Sequence, residues 1–325
     1  MHAIESMFYV GETPWHGLGK PLNEPPTIEE ALVQSGLNWS VNKIPTYFEV
    51  NQINKETGHF VTVREDGQIL GNVGKKYTIL QNNEAFEPFE VLLDYGFKLE
   101  TAGSIDEGKK VWILAKTPEN YLVGDDKIDD YVMLYNSHDG SSGNCMRDVK
   151  IRVVCQNTLN ASLSNKATAE YKLRHTSSIT QRVKELTQKL EERNGNVKEA
   201  IDKMNRFTDV DMTPDMLNLY IESVMPVLKN RHRESVPELG IWTRNKTKPV
   251  YDKITDLFYN GKGNNGKTLW DAYNAVTEYH DHHKKHQSDW VKSTQFGQSG
   301  IDKKRAYNIA VQIANNQKPT YIGVS

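Results

Sequence analysis

Between Lys43 and Cys155 apolar and polar residues alternate along short segments, and beyond Cys155 the apolar residues recur at helical spacing. No single type of element accommodates both patterns, because a period of two lines one face of a strand and a period of about 3.6 lines one face of a helix. The chain is therefore expected to be α+β: a curved, mainly antiparallel sheet with one early helix, followed by a helical C-terminal part. TYFEV, HFVTVRED, GQILGNVGKKYTIL, KLETAGSI, KKVWILAK, DYVMLYNSHDG and DVKIRVVC read as strands. REDG and SIDEGKK supply hairpin turns, since Asp-Gly and Glu-Gly tolerate positive φ. NNEAFEPFEVLLDYG interrupts them as a helix, with Asn82 or Asn83 as N-cap and Gly96 as its stop. Residues 1–42 form an arm, PWHGLGKPLNEPP, and a helix, TIEEALVQSG; residues 43–175 form a β-rich domain; residues 176–325 form a helical region. QNTLNASLSN is expected as a short helix, and SSITQRVKELTQKLEERNG as an amphipathic one capped by Ser177 or Ser178.

At 325 residues, 37% hydrophobic and 25% charged, the chain can bury a substantial core. No apolar run approaches the roughly 18 residues of a membrane helix, and MHAIESMFYV lacks the features of a signal peptide. A cytoplasmic protein with no membrane partner is expected, its two cysteines reduced. Residues 1–175 hold 17 Lys+Arg against 24 Asp+Glu, and residues 176–325 hold 23 against 18, so the halves stand at −7 and +5. That balance permits nucleic-acid contact without requiring it, since clustering rather than total charge decides.

Three stretches carry chemical meaning. GKGNNGKTLW, Gly261 to Trp270, satisfies the spacing of a phosphate-binding loop. Yet the preceding YDKITDLFYN is helix-periodic rather than a buried strand, and too little chain follows to build the required sheet. The loop reads as a helix connector with Thr268 as N-cap. In YHDHHKKHQ, His282 and His286 are four apart and His280 and His283 three apart, a spacing for two metal-bound imidazoles on one face; no HExxH or paired-cysteine pattern accompanies them, so no metal or other cofactor is expected. In NSHDGSSGNCMRDVKIRVVCQNTLNASL, adjacent Ser137, His138 and Asp139 point in different directions and cannot form a hydrolytic triad, so no catalytic residues are assigned. What that stretch offers is a polar turn and a strand with Val149, Ile151 and Val153 on one side and Lys150 and Arg152 on the other. Lys75, Lys76, Arg147, Lys150, Arg152 and Lys166, with His138 and Asn144 as donors, are the expected contacts to a nucleic-acid backbone.

PWHGLG, ETAGSIDEGKKVW, NSHDGSSG, RVVCQNTL and NAVTEYHDHH together resemble a widespread phage- and plasmid-related family classed as a domain of unknown function, over nearly the whole chain. The resemblance implies a setting among DNA-metabolism genes. The order of helix, antiparallel hairpins and later helices is also similar, as a distant analogy, to single-strand annealing recombinases, which form rings on single-stranded DNA. The expected function is single-stranded DNA binding by an oligomer, a ring in the analogy, in strand annealing. The alternatives are a non-enzymatic protein that binds a host or phage protein, and an enzyme, metal-dependent in one form, with His138 and Asp139 or the histidines from 280 to 286 at its centre.

Overall fold

A computed structural model of the chain describes residues 4–11, 17–152, 157–159, 170–173, 193–225, 237–284 and 297–317. The fold is α+β, with largely antiparallel strand pairing early and helices in the C-terminal part. Two compact units interleave along the chain. Met1–Glu119, Asp130–Asp148 and Ala167–Asn194 make the first, and Asn120–Asp129, Val149–Lys166 and Gly195–Ser325 make the second.

The first unit opens with β1 (Ile4–Val10), β2 (Lys20–Leu22) and α1 (Ile28–Gln34). Thr27 and Glu30 start α1 as a capping box: Thr27 Oγ1 accepts from the Glu30 N–H at 3.2 Å and the Glu30 carboxylate accepts from the Thr27 N–H at 2.9 Å. A three-stranded sheet follows, β3 (Val41–Val50), β4 (Ile53–Arg64) and β5 (Ile69–Val73), in that order. Asn51 and Gln52 turn β3 into β4 with φ of 53° and 63°, as a two-residue hairpin demands, and REDG makes the next turn with Gly67 at φ 94°. The expected single helix is two, α2 (Asn82–Phe86) and α3 (Pro88–Asp94), because Pro88 cannot continue the first ladder but suits the opening of a new helix. Gln81, not Asn82, is the N-cap of α2; Asn82 is drawn inward, its amide donating to the Leu37 carbonyl at 2.8 Å. Gly96 ends α3 at φ 83°.

A larger sheet takes β6 (Lys98–Ile105), β7 (Lys110–Val123), β8 (Asp126–Ser137) and β9 (Asn144–Arg152), with β1 and β2 beyond β6 and β11 (Glu170–Leu173) paired to β9. In β7 the alternation expected from KVWILAK appears as buried Val111, Ile113 and Ala115 between half-buried neighbours. β8 is buried on both faces from Ile128 to Ser137. Phe8, Leu37, Leu80, Phe86, Phe89, Leu99, Val132, Leu134 and Met146 close this core under the three helices.

The second unit contains α4 (Arg193–Thr208), α5 (Pro214–Val224), α6 (Pro237–Asn260), α7 (Leu269–Glu278), a π-helical turn (Tyr279–His283) and α8 (Gln298–Ala314). β10 (Asn157–Leu159) pairs with Lys150–Arg152, so part of QNTLNASLSN is strand where a helix was expected; ladder pairing overrides local propensity there. The amphipathic helix expected after Ser177 or Ser178 lies outside the described residues, as does Cys155. α7 is buried along all its length, the condition of a helix at the centre of a bundle. Phe207, Tyr273 and Tyr307 meet around it with ring centroids 5.8–6.0 Å apart.

The glycine loop joins α6 to α7. Thr268 is the N-cap, and the Asp271 carboxylate accepts from the N–H groups of Asn265 (3.3 Å), Lys267 (3.0 Å) and Thr268 (3.0 Å). A carboxylate of the chain itself thus occupies the position in which a phosphate loop would hold an anion. A Cβ on Gly261 would lie 2.3 Å from the Leu257 carbonyl oxygen, so the backbone closes there only with glycine. Asp271→Ala, which orphans these donors, is expected to lower stability by about 1–3 kcal/mol in urea unfolding, with an unchanged m-value.

Candidate functional site

The NSHDGSSG turn joins β8 to β9 and is assembled by side chains folding back on the backbone. Asp139 Oδ1 accepts from Ser137 Oγ at 2.5 Å and from the Ser141 N–H at 2.8 Å, while Ser137 Oγ accepts from the Ser142 N–H at 3.2 Å. These bonds define a closed polar knot rather than a triad, since Ser137 donates to Asp139 and not to His138. Burial opposes the Asp139 charge, but the Ser137 and Ser141 bonds and the nearby Lys110 outweigh it and hold the carboxyl below its usual range.

His138 is fully buried. Its N–H donates to the Lys109 carbonyl at 2.8 Å and its carbonyl accepts from Thr62 Oγ1 at 2.6 Å. The ring lies edge-on to Trp39 at 5.3 Å, and Nε2 meets Asn82 Oδ1 at 2.8 Å. Because the Asn82 amide nitrogen is donating to Leu37, its oxygen is the acceptor, which fixes the imidazole proton on Nε2. Tyr77 OH donates to the Ser137 carbonyl at 3.0 Å, and Gly71 packs so close that a Cβ there would lie 2.4 Å from Asp139 Cα. None of these partners was legible in the sequence: Thr62 and Asn82 lie 76 and 56 positions from His138, and no local spacing signals the contact.

The knot gathers cations. Lys43 Nζ donates to the carbonyls of Lys75 and Tyr77, both at 2.7 Å, which places the exposed Lys75 and Lys76 beside the segment that Tyr77 ties to Ser137. Lys109 and Lys110 arrive with the strand end bonded to His138. Lys43 is an addition that the sequence reading did not assign.

The other expected contacts are placed differently. Arg147 is half-buried with its guanidinium 5.6 Å from the Tyr135 ring. Asn144 and Lys150, like His138, are buried rather than on an open face, Lys150 at 2% exposure opposite Leu159. β9 is covered on both sides at this point, so the expected division into an apolar side and a cationic side does not hold: Val149 and Lys150 are both buried. Lys150 and Arg152 belong to the second unit. Arg152 takes part in the ladder with Asn157, and Lys166 lies outside the described residues.

The histidine segment forms the π-helical turn, in which the Lys284 N–H reaches the Tyr279 carbonyl at 2.8 Å, five residues back. That wider turn sends the histidines apart. His280 is buried, with Nδ1 3.2 Å from Ser299 Oγ and Nε2 3.8 Å from Asp302, whereas His283 is half-exposed and 3.9 Å from Glu278. Asp281 and Lys303, both fully buried, form an ion pair at 2.6 Å, and Asp302 accepts from Arg305 and Gln298, each at 2.9 Å. Among the described residues no group of three or more His, Cys, Asp or Glu is placed to hold a metal ion, and His286 lies outside them.

Two outcomes follow. Lys303→Met removes the buried cation that the Asp281 carboxylate pairs with, and is expected to cost about 3–5 kcal/mol in chemical denaturation, much of it recovered when Asp281→Leu is added. Asp139 contributes stability that is complete above the ordinary carboxylate range and declines as the pH falls through its lowered folded value, so unfolding of Asp139→Asn is expected to depend less on pH below about 4 than that of the wild type.

No curated protein and no solved structure matches the chain. The model of one family covers residues 69–308, a span that takes in the knot, the glycine loop and the π-helical turn, and by that match the chain belongs to the family described as the domain of unknown function DUF932.

Proposed function

We propose that this chain is a phage- or plasmid-encoded protein that binds single-stranded DNA as an oligomer, in recombination or replication, by neutralising phosphates rather than by making or breaking bonds. The observation that supports the reading is the gathering of Lys43, Lys75, Lys76, Lys109 and Lys110 from separate segments around one polar knot. A phosphate backbone is held by clustered cations and needs no nucleophile, base or metal. The acidic side chains described nearby already have partners: Asp139 takes up the knot's hydroxyls, Asp66 the Arg64 guanidinium, and Glu107 the Gln68 amide. Strand annealing, the finer form of the proposal, adds only the need for more than one copy.

Fluorescence anisotropy of a labelled oligothymidylate over a salt series tests the reading. Affinity is expected to fall linearly in a log–log plot, and Lys75→Glu with Lys76→Glu to weaken binding and lower the slope by about 1.4, near 0.7 per lost phosphate contact. Absence of binding at low salt overturns it. A monomeric mass by light scattering at the same concentrations overturns the annealing part alone.

A further inference from the structure

The segment that joins α6 to α7 contains the same tripeptide twice, Asn260-Gly261-Lys262 and Asn265-Gly266-Lys267. In an Asn-Gly pair the main-chain nitrogen of the glycine can attack the carboxamide carbon of the asparagine, because glycine has no side chain to obstruct the five-membered ring that forms. The residues that follow each asparagine, which govern this reaction, are identical, and both asparagines are exposed to water. Hydrogen bonding separates them. Asn260 closes α6 with its carboxamide donating to Asp256 at 2.9 Å, and the Gly261 N–H that would have to attack donates to the Leu257 carbonyl at 2.8 Å. Asn264 is held as well, its amide donating to the carbonyls of Leu257 at 2.9 Å and Asp271 at 3.2 Å. Asn265 has no such restraint. The Asp271 carboxylate takes the N–H groups of Asn265, Lys267 and Thr268 and passes over that of Gly266, which stands at φ 71°. Among the described residues no hydrogen bond holds the Gly266 N–H or the Asn265 carboxamide.

We infer that Asn265 is a site of spontaneous deamidation, with solvent water as the only co-reactant, and that the end of α6 protects Asn260 from the same reaction. The Gly266 nitrogen gives up its proton and forms a bond to Asn265 Cγ; the Cγ–Nδ2 bond breaks and Nδ2 leaves as ammonia, carrying a proton taken from solvent. Water then opens the cyclic imide at either of its carbonyls, so one water is consumed for each ammonia released and nothing is oxidised or reduced. Opening at Cγ leaves an aspartate; opening at the main-chain carbonyl leaves an isoaspartate, in which the chain runs on through Cβ and Cγ and is one atom longer. Both products bring a new carboxylate to the residue whose N–H lies 3.3 Å from Asp271 Oδ1. The isoaspartate also displaces the Lys267 and Thr268 N–H groups that follow it, and these bond the carboxylate that caps α7, the helix buried along all its length. The reaction is thus a slow, one-way loss of that cap, and it stands apart from the DNA-binding reading.

The test incubates the folded full chain in mildly alkaline buffer made with heavy-oxygen water and follows each asparagine by peptide mapping and mass spectrometry, with isoaspartate measured by enzymatic methyl transfer. The same chain unfolded in guanidinium is the reference. Unfolded, Asn260 and Asn265 are expected to convert at similar rates. Folded, Asn265 is expected to outpace Asn260 by about tenfold or more, because a site at a helix end reacts only while that turn is open. The urea midpoint of the aged protein is expected to fall as isoaspartate accumulates. Asn265→Gln, whose longer side chain would have to close a six-membered ring, is expected to keep its midpoint over the same incubation; the Asn265 carboxamide is exposed and unbonded, so this variant disturbs no core. Equal conversion of the two sites in the folded chain, faster conversion at Asn260, or no conversion at Asn265 overturns the assignment. Conversion at Asn265 with an unchanged midpoint, or an equal loss of midpoint in Asn265→Gln, overturns the link to the cap of α7.

Discussion

A fully buried polar residue must find its hydrogen bonds within the protein, and His138, through its ring and its backbone, finds them by pulling distant segments onto one point. Its ring engages Asn82 on α2, its carbonyl engages Thr62 on β4, and its N–H engages the peptide of Lys109 at the start of β7. Each bond satisfies a group that would cost about 1–3 kcal/mol if left bare. In the first unit the small sheet, the α2–α3 pair and the β6–β7 turn are thereby held to the end of β8. The exposed lysines owe their proximity to this buried framework, which is why a polar motif with no surface role of its own still governs the surface.

The elements were largely legible in the sequence and their junctions were not. Alternation in KVWILAK and glycine at REDG sufficed for β7 and the β4–β5 turn, because those signals are local. The status of His138, Asn144 and Lys150 was not legible. All three are polar, and polarity in a strand reads as exposure unless one knows that other elements cover both faces. Lys43 was unassigned for the converse reason: its role comes from carbonyls more than thirty positions away.

The glycine loop and the histidine segment illustrate how much a motif depends on its frame. GKGNNGK keeps its amides directed at one point, as the pattern suggests, and the chain supplies the anion through Asp271. In YHDHH, helical spacing was the right variable and the wrong period: with the hydrogen bond closing over five residues instead of four, His280 faces α8 and His283 faces Glu278.

That wider turn also makes the segment a length gauge. The extra residue it accommodates sets the angular position of everything from Tyr279 onward relative to the buried Ser299 and Lys303. Removing one residue would restore ordinary winding and rotate the following side chains by about 100°. The ion pair and the imidazole contact would lose their register together. Insertions and deletions are therefore barred at a place where single substitutions of the half-exposed His283 are not, whereas the tip of the β3–β4 hairpin, free on both sides, can change length without disturbing a core.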